Sequence, residues 1–143
     1  MARWFIIIGA IILVFTGTAK IVSSFGTAKL LQSPDPVFAL SFKKVFIVVG
    51  SIEIVVAFTC LITKNITMRL ALLAWLASLF AFYRIGVWMT GYNRPCSCLG
   101  NLTDALHIRP EIASTAMMFV LLYLIGGSYG FLLSGLLRTA PRR

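Results

Sequence analysis

Four apolar segments, spanning 4–25, 45–62, 70–90 and 112–132, fill most of this 143-residue chain. Each is close to the roughly 20 residues with which an α-helix crosses a hydrocarbon core of about 30 Å, and inside lipid a helix satisfies its own backbone hydrogen bonds. The composition agrees, with 59% hydrophobic and only 12% charged residues, where soluble domains carry about a quarter charged. The chain therefore reads as an integral membrane four-helix bundle, all-α, in a single transmembrane domain over 1–143. A net charge of +9 on a soluble chain would suggest nucleic-acid binding. Here the positive residues flank apolar segments, so the expected contact is the lipid bilayer and its headgroups, with no nucleic acid.

The connections define the topology. Residues 63–69, Thr-Lys-Asn-Ile-Thr-Met-Arg, are too few for intervening structure and place the second and third helices side by side. Arg3 followed by Phe5-Ile6-Ile7-Ile8 resembles a signal peptide, but the apolar run continues through Val14-Phe15 and reads as the first transmembrane helix. Near its end, Lys20 and Lys29 bracket Ile21 to Phe25, and a lysine there is expected to snorkel toward headgroups. Ser33-Pro34-Asp35-Pro36 interrupts any helix, and residues 37–42 are expected to run along the interface before the second span.

Basic residues orient the bundle. With both termini cytoplasmic, that face carries Arg3, Lys64, Arg69, Arg138, Arg142 and Arg143. The other face carries Lys20, Lys29, Lys43, Lys44, Arg94 and Arg109, diluted by Asp35, Asp104 and Glu111 over longer loops. The counts tie, but basic density in short segments favours cytoplasmic termini. This orientation places both long connections on the outer face of the membrane.

The second long connection contains Asn93-Arg94-Pro95-Cys96-Ser97-Cys98-Leu99-Gly100, the chain's best claim to chemistry. Disulfides persist in periplasmic compartments and are rare in the cytosol. A bond between Cys96 and Cys98 would close a small strained ring, and strain suits an exchanging pair better than a static clamp. Arg94 can stabilise a thiolate, Pro95 fixes the approach and Gly100 permits unusual backbone angles. The bland reading is two small loop residues or a fixed disulfide. A metal site from Cys96, Cys98 and His107 lacks an obvious fourth ligand, and the C-x-C spacing fits structural zinc poorly, so no metal is assigned. His107, the sole histidine, is either a plain loop residue or a proton acceptor near the thiols. Cys60, at the other end of the second helix, reads as a small apolar residue.

Two ionisable residues lie inside the spans, Glu53 in the second and Arg84 in the third. Charges in hydrocarbon are costly and face a partner or a wet cavity. With a rise of about 1.5 Å per residue, their backbones differ in height by roughly 9 Å, so an interhelical Glu53–Arg84 pair is expected. It would lock helix register or line a polar cavity below the cysteines. Ala71, Ala74, Ala77, Ser78 and Ala81, and later Gly126, Gly127, Ser128 and Gly130, supply small residues for close helix packing. Trp4, Trp75, Trp88, Tyr83 and Tyr92 read as packing or interfacial anchors.

Gly17-x-x-Lys20, Asp35-Pro36-x-Phe38, Glu53, Arg84 and Cys96-x-Cys98-x-Gly100 occur in this chain in the order seen in the MauE family of methylamine-utilisation proteins, which the chain resembles over nearly its whole length. Leu99 stands where phenylalanine is often found, and Ala57 where glycine is often found. That family is related to the DoxX-like four-helix membrane proteins, and the resemblance implies a four-helix bacterial inner-membrane protein, its cysteine connection periplasmic, from a family associated with maturation of methylamine dehydrogenase through disulfide formation or transport of reducing equivalents. It also implies a thioredoxin-like partner, with Cys96 and Cys98 carrying the exchange.

The leading functional expectation is thus a membrane thiol–disulfide exchange or electron-transfer accessory protein, acting with a thioredoxin-like protein or subunits of a membrane oxidoreductase complex. Arg94, Gly100, Glu53, Arg84 and His107 would support the cysteine pair. A quinone can accept electrons from such a pair, although no residue pattern specifies one. The alternative is a structural small subunit of a larger complex without chemistry of its own. A transporter reading is weaker, since neither paired broken helices nor an inverted repeat is visible.

Overall fold

The computed structural model describes residues 1–26, 31, 34, 35, 37–91 and 110–139. Four helices account for nearly all of them: α1 (Ala2–Ser24), α2 (Phe42–Ile62), α3 (Ile66–Met89) and α4 (Pro110–Thr139). All four are long and apolar enough to cross a membrane, so the chain is an all-α, four-helix membrane bundle. The helices start two to four residues before the apolar segments do, and α4 runs seven residues past position 132. Their polar ends, such as Lys43, Lys44 and Arg69, still satisfy the helical backbone although they lie outside the apolar runs.

The turn between α2 and α3 shows how short sequence signals end one helix and start another. The Asn65 side chain caps α3, accepting from the backbone N–H groups of Thr67 at 3.0 Å and Met68 at 3.4 Å. Arg69, one turn into α3, donates from Nε to the Thr63 carbonyl and from Nη2 to the Leu61 carbonyl. Carbonyls at the end of α2 that lack an intrahelical donor are thereby satisfied by a cation, which also suits the negative end of that helix. At α4, Pro110 occupies the first helical position, where its missing N–H costs nothing.

Packing divides the bundle into two closely associated pairs, α1 with α2 and α3 with α4, which meet across a shared core. That core is built from Ile6 and Leu13 of α1, Ala57 of α2, Leu73 and Ala77 of α3 and Leu124 of α4. The α1–α2 crossing is the tightest. A Cβ placed on Gly17 would lie 2.8 Å from the Gly50 carbonyl oxygen, and one on Gly50 would lie 2.7 Å from the Gly17 carbonyl oxygen. Backbone meets backbone there, as small residues in membrane bundles permit. Of the small residues noted in the later helices, Ala74 and Ala77 are buried and Gly127 lies under the Phe5 ring, whereas Gly126 and Gly130 face open space among the described residues.

Before α2 the chain turns back on itself, closed by an antiparallel bridge between Pro34 and Ser41 and by a 2.7 Å hydrogen bond from the Asp35 N–H to the Leu40 carbonyl. Ala39 takes a positive φ of 54° to complete the turn. The local reason is Asp35, whose side chain organises the turn from within.

Candidate functional site

Three polar contacts gather near the end of the bundle where α1 and α3 finish and α2 and α4 begin, here termed the long-loop end. Asp35 is 1% exposed. Its Oδ1 accepts from the N–H groups of Val37 at 2.8 Å and Phe38 at 3.0 Å, an Asx-type arrangement that folds the chain back on itself. Its Oδ2 accepts from the Tyr83 hydroxyl of α3. The Phe38 ring stacks on Tyr83 with centroids 5.7 Å apart and planes 9° from parallel. A Cβ on Gly86, one turn further along α3, would come within 3.3 Å of Val37. The first long connection is thus latched to the last turns of α3, a few residues before the chain enters residues 92–109.

Arg84, next to Tyr83, reaches α4. Its Nη2 donates to the Ser114 hydroxyl of α4 at 2.8 Å. This joins the end of α3 to the start of α4, the two helices that bracket the cysteine-containing connection.

Deeper in the bundle, Lys20 of α1 forms an ion pair with Glu53 of α2 through Oε1. Glu53 is fully buried and Lys20 is 7% exposed. The Lys20 ammonium also lies 5.2 Å from the centroid of the Phe80 ring of α3, within the range of a cation–π contact. Thr16, one turn from Lys20, sets its hydroxyl beside the Glu53 carboxylate. The second carboxylate oxygen, Oε2, is buried without a hydrogen-bond partner among the described residues.

The expected Glu53–Arg84 pair is therefore corrected: Glu53 pairs with Lys20, and Arg84 bonds to Ser114. The expectation that Lys20 snorkels to headgroups is corrected with it. The physical cause is helix pairing. The Gly17–Gly50 contact brings α1 against the Glu53 face of α2, and in antiparallel helices both side chains lean toward their own N-termini and so converge. α3 turns its Arg84 toward α4 instead. Tyr83, which the sequence marks only as an anchor, is a specific partner of Asp35. A signal for both contacts exists in the spacing Gly17-x-x-Lys20 and in an Asp35 flanked by prolines, but neither names its partner.

Cys96, Cys98, Arg94, Gly100 and His107 lie outside the described residues. Cys60 is fully buried at the opposite end of α2, with its Sγ 3.6 Å from the Arg69 carbonyl.

Comparison with known families bears on the whole arrangement. The family model described as "Methylamine utilisation protein MauE" matches residues 1–137. The chain belongs to the MauE family. No curated protein and no solved structure matches it at a significant level. In this MauE-family chain the match covers the first three helices, α4 to within two residues of its end, the Asp35 turn and the connection with both cysteines.

Proposed function

We propose that this chain is a membrane accessory protein of methylamine utilisation that exchanges disulfides through Cys96 and Cys98. The carrying observation is the C-x-C segment within a MauE-family chain, placed in the connection between α3 and α4. The Asp35–Tyr83 latch and the Arg84–Ser114 bond support the reading, because they brace the two helix ends from which that connection departs.

In the proposed exchange, a thiolate of one cysteine attacks a partner disulfide and displaces one partner thiolate, giving a mixed disulfide. The second cysteine attacks that bond, releasing the partner as a dithiol and leaving Cys96–Cys98 oxidised; the reverse sequence oxidises a partner. Two electrons pass in either direction. A thioredoxin-like protein or a membrane oxidoreductase subunit is the proposed partner, with the cysteines on the periplasmic face and both termini cytoplasmic. Arg94 favours the thiolate electrostatically.

Thiol trapping in membrane vesicles held at defined redox poise tests this. Reversible oxidation of Cys96 and Cys98 is expected, together with a trapped mixed disulfide when Cys98 is replaced by serine. A pair that never changes state would sink the proposal. A Cys96→Ser, Cys98→Ser double variant that leaves partner maturation intact would instead favour a purely structural subunit, a reading to which the sparse covering of α4 lends some support.

A further inference from the structure

The Lys20–Glu53 pair has features that helix locking does not require. A carboxylate serving only as counter-ion in hydrocarbon would be expected to have both oxygens satisfied, since each unpartnered buried polar atom is costly. Among the described residues, the buried Oε2 of Glu53 has no hydrogen-bond donor within bonding geometry, although the Thr16 hydroxyl lies beside the carboxylate. The ammonium opposite it has a second electrostatic partner in the Phe80 ring, so it need not depend on a full negative charge at Glu53.

A second observation concerns access. On α1, Thr16, Lys20, Ser23 and Ser24 are all buried, at spacings of three and four residues that place them on one face. This polar column starts beside the Glu53 carboxylate and ends at Ser24, the last residue of α1 at the long-loop end. Buried hydroxyls in a span whose buried hydrophobic residues are Phe5, Ile6, Ala10, Leu13 and Ala19 are a departure from apolar packing. The Thr16 and Ser24 hydroxyls donate to the carbonyls of Ile12 and Ile21, which leaves their oxygen lone pairs as acceptors. The charged group set against Glu53 from the neighbouring helices is Lys20 of α1; α3 presents the Phe80 ring at this depth, and its Tyr83 and Arg84 bond to Asp35 and Ser114.

We infer that Glu53 is an intramembrane proton-binding site served from the long-loop end: Oε2 takes a proton from water by way of the Thr16–Lys20–Ser23–Ser24 face, while Lys20 stays charged against Phe80. One O–H bond forms, the ion pair becomes a carboxylic acid beside an ammonium, and the site changes from neutral to a single positive charge. Release reverses the step. No cavity for a larger ligand is needed, and the site operates whether or not the cysteines exchange disulfides.

The sequence allows a direct test, because the chain contains only two glutamates, Glu53 and Glu111. The full chain is labelled with carboxyl-13C glutamate, reconstituted in bilayers and followed by solid-state NMR, with Glu111→Gln assigning the two signals. The Glu53 carbon is expected to move reversibly between its ionised and protonated positions as the bulk pH is cycled between alkaline and acid. A Glu53 signal that stays fixed while that of Glu111 titrates would overturn the inference. Phe80→Leu should move the Glu53 midpoint toward acid by about half to one pH unit, because the protonated state loses its ammonium partner; an unmoved midpoint would remove Phe80 from the site. In sealed vesicles of defined orientation, the signal should follow the compartment facing the C-terminal end of α1. Following the opposite compartment would overturn the route.

Discussion

Lys20 and Glu53 form a buried ion pair between α1 and α2, one turn or less on either side of the place where Gly17 and Gly50 bring the two backbones into contact. The pairing and the crossing depend on each other. Without the close approach the side chains would not converge, and without the pair two charges would be stranded in the membrane.

Breaking the pair from one side should be costly. Lys20→Met leaves the Glu53 carboxylate without its cation, and a loss of about 3–5 kcal/mol is expected, as for removal of one partner of a buried ion pair. Combining it with Glu53→Met should recover most of that loss. Unfolding by denaturing detergent in mixed micelles measures both, and a double variant no more stable than Lys20→Met would count against the pairing.

Gly50→Ala tests the crossing itself. The new Cβ would sit 2.7 Å from the Gly17 carbonyl oxygen, so the backbones must separate, with an expected cost of about 1–3 kcal/mol or more. Because the separation also pulls Lys20 from Glu53, the effects of Gly50→Ala and Lys20→Met should be less than additive. Strict additivity in the same unfolding assay would show that the two features are independent.

Glycines of α4 should respond unequally. A Cβ on Gly127 would overlap the Phe5 ring, which already packs on Tyr123 and Phe131 with centroids 5.1 and 5.5 Å away. Gly127→Ala should therefore displace Phe5 and destabilise the isolated chain by about 1–3 kcal/mol. Gly126→Ala and Gly130→Ala meet no atom of the described residues and should leave its stability unchanged or raise it, by up to about 1 kcal/mol from helix propensity.

The Asp35–Tyr83 latch predicts a local effect. Asp35→Ala removes the acceptor for two backbone N–H groups and for the Tyr83 hydroxyl, an expected loss of about 1–3 kcal/mol for the unsatisfied buried donors. Proteolysis of the chain in membranes should show faster cleavage near residue 35. Tyr83→Phe should produce a smaller change, since the turn keeps its two internal bonds. Equal protection of Asp35→Ala and the parent chain would rule out a latch.

The number of helices and their approximate positions are legible in the residues alone, because a membrane filters sequences through one requirement: long apolar stretches whose backbone bonds close internally. The chemistry proposed for the cysteine pair rests on a similarly local signal, two thiols in a polar segment between apolar ones. Partner choice is not. Helices that are apolar nearly all round carry little of the periodicity by which a soluble amphipathic helix announces its buried face. Depth alone therefore pairs Glu53 with Arg84, and distance from the end of the span sends Lys20 to the headgroups. Tertiary packing decides otherwise. The Gly17–Gly50 contact sets the rotation and spacing of α1 and α2, which turns Lys20 inward to Glu53, while pairing of α3 with α4 carries Arg84 to Ser114. Sequence by itself determined which residues enter the membrane; the rotation of each helix about its axis, set by the contacts among all four, determined which of them meet.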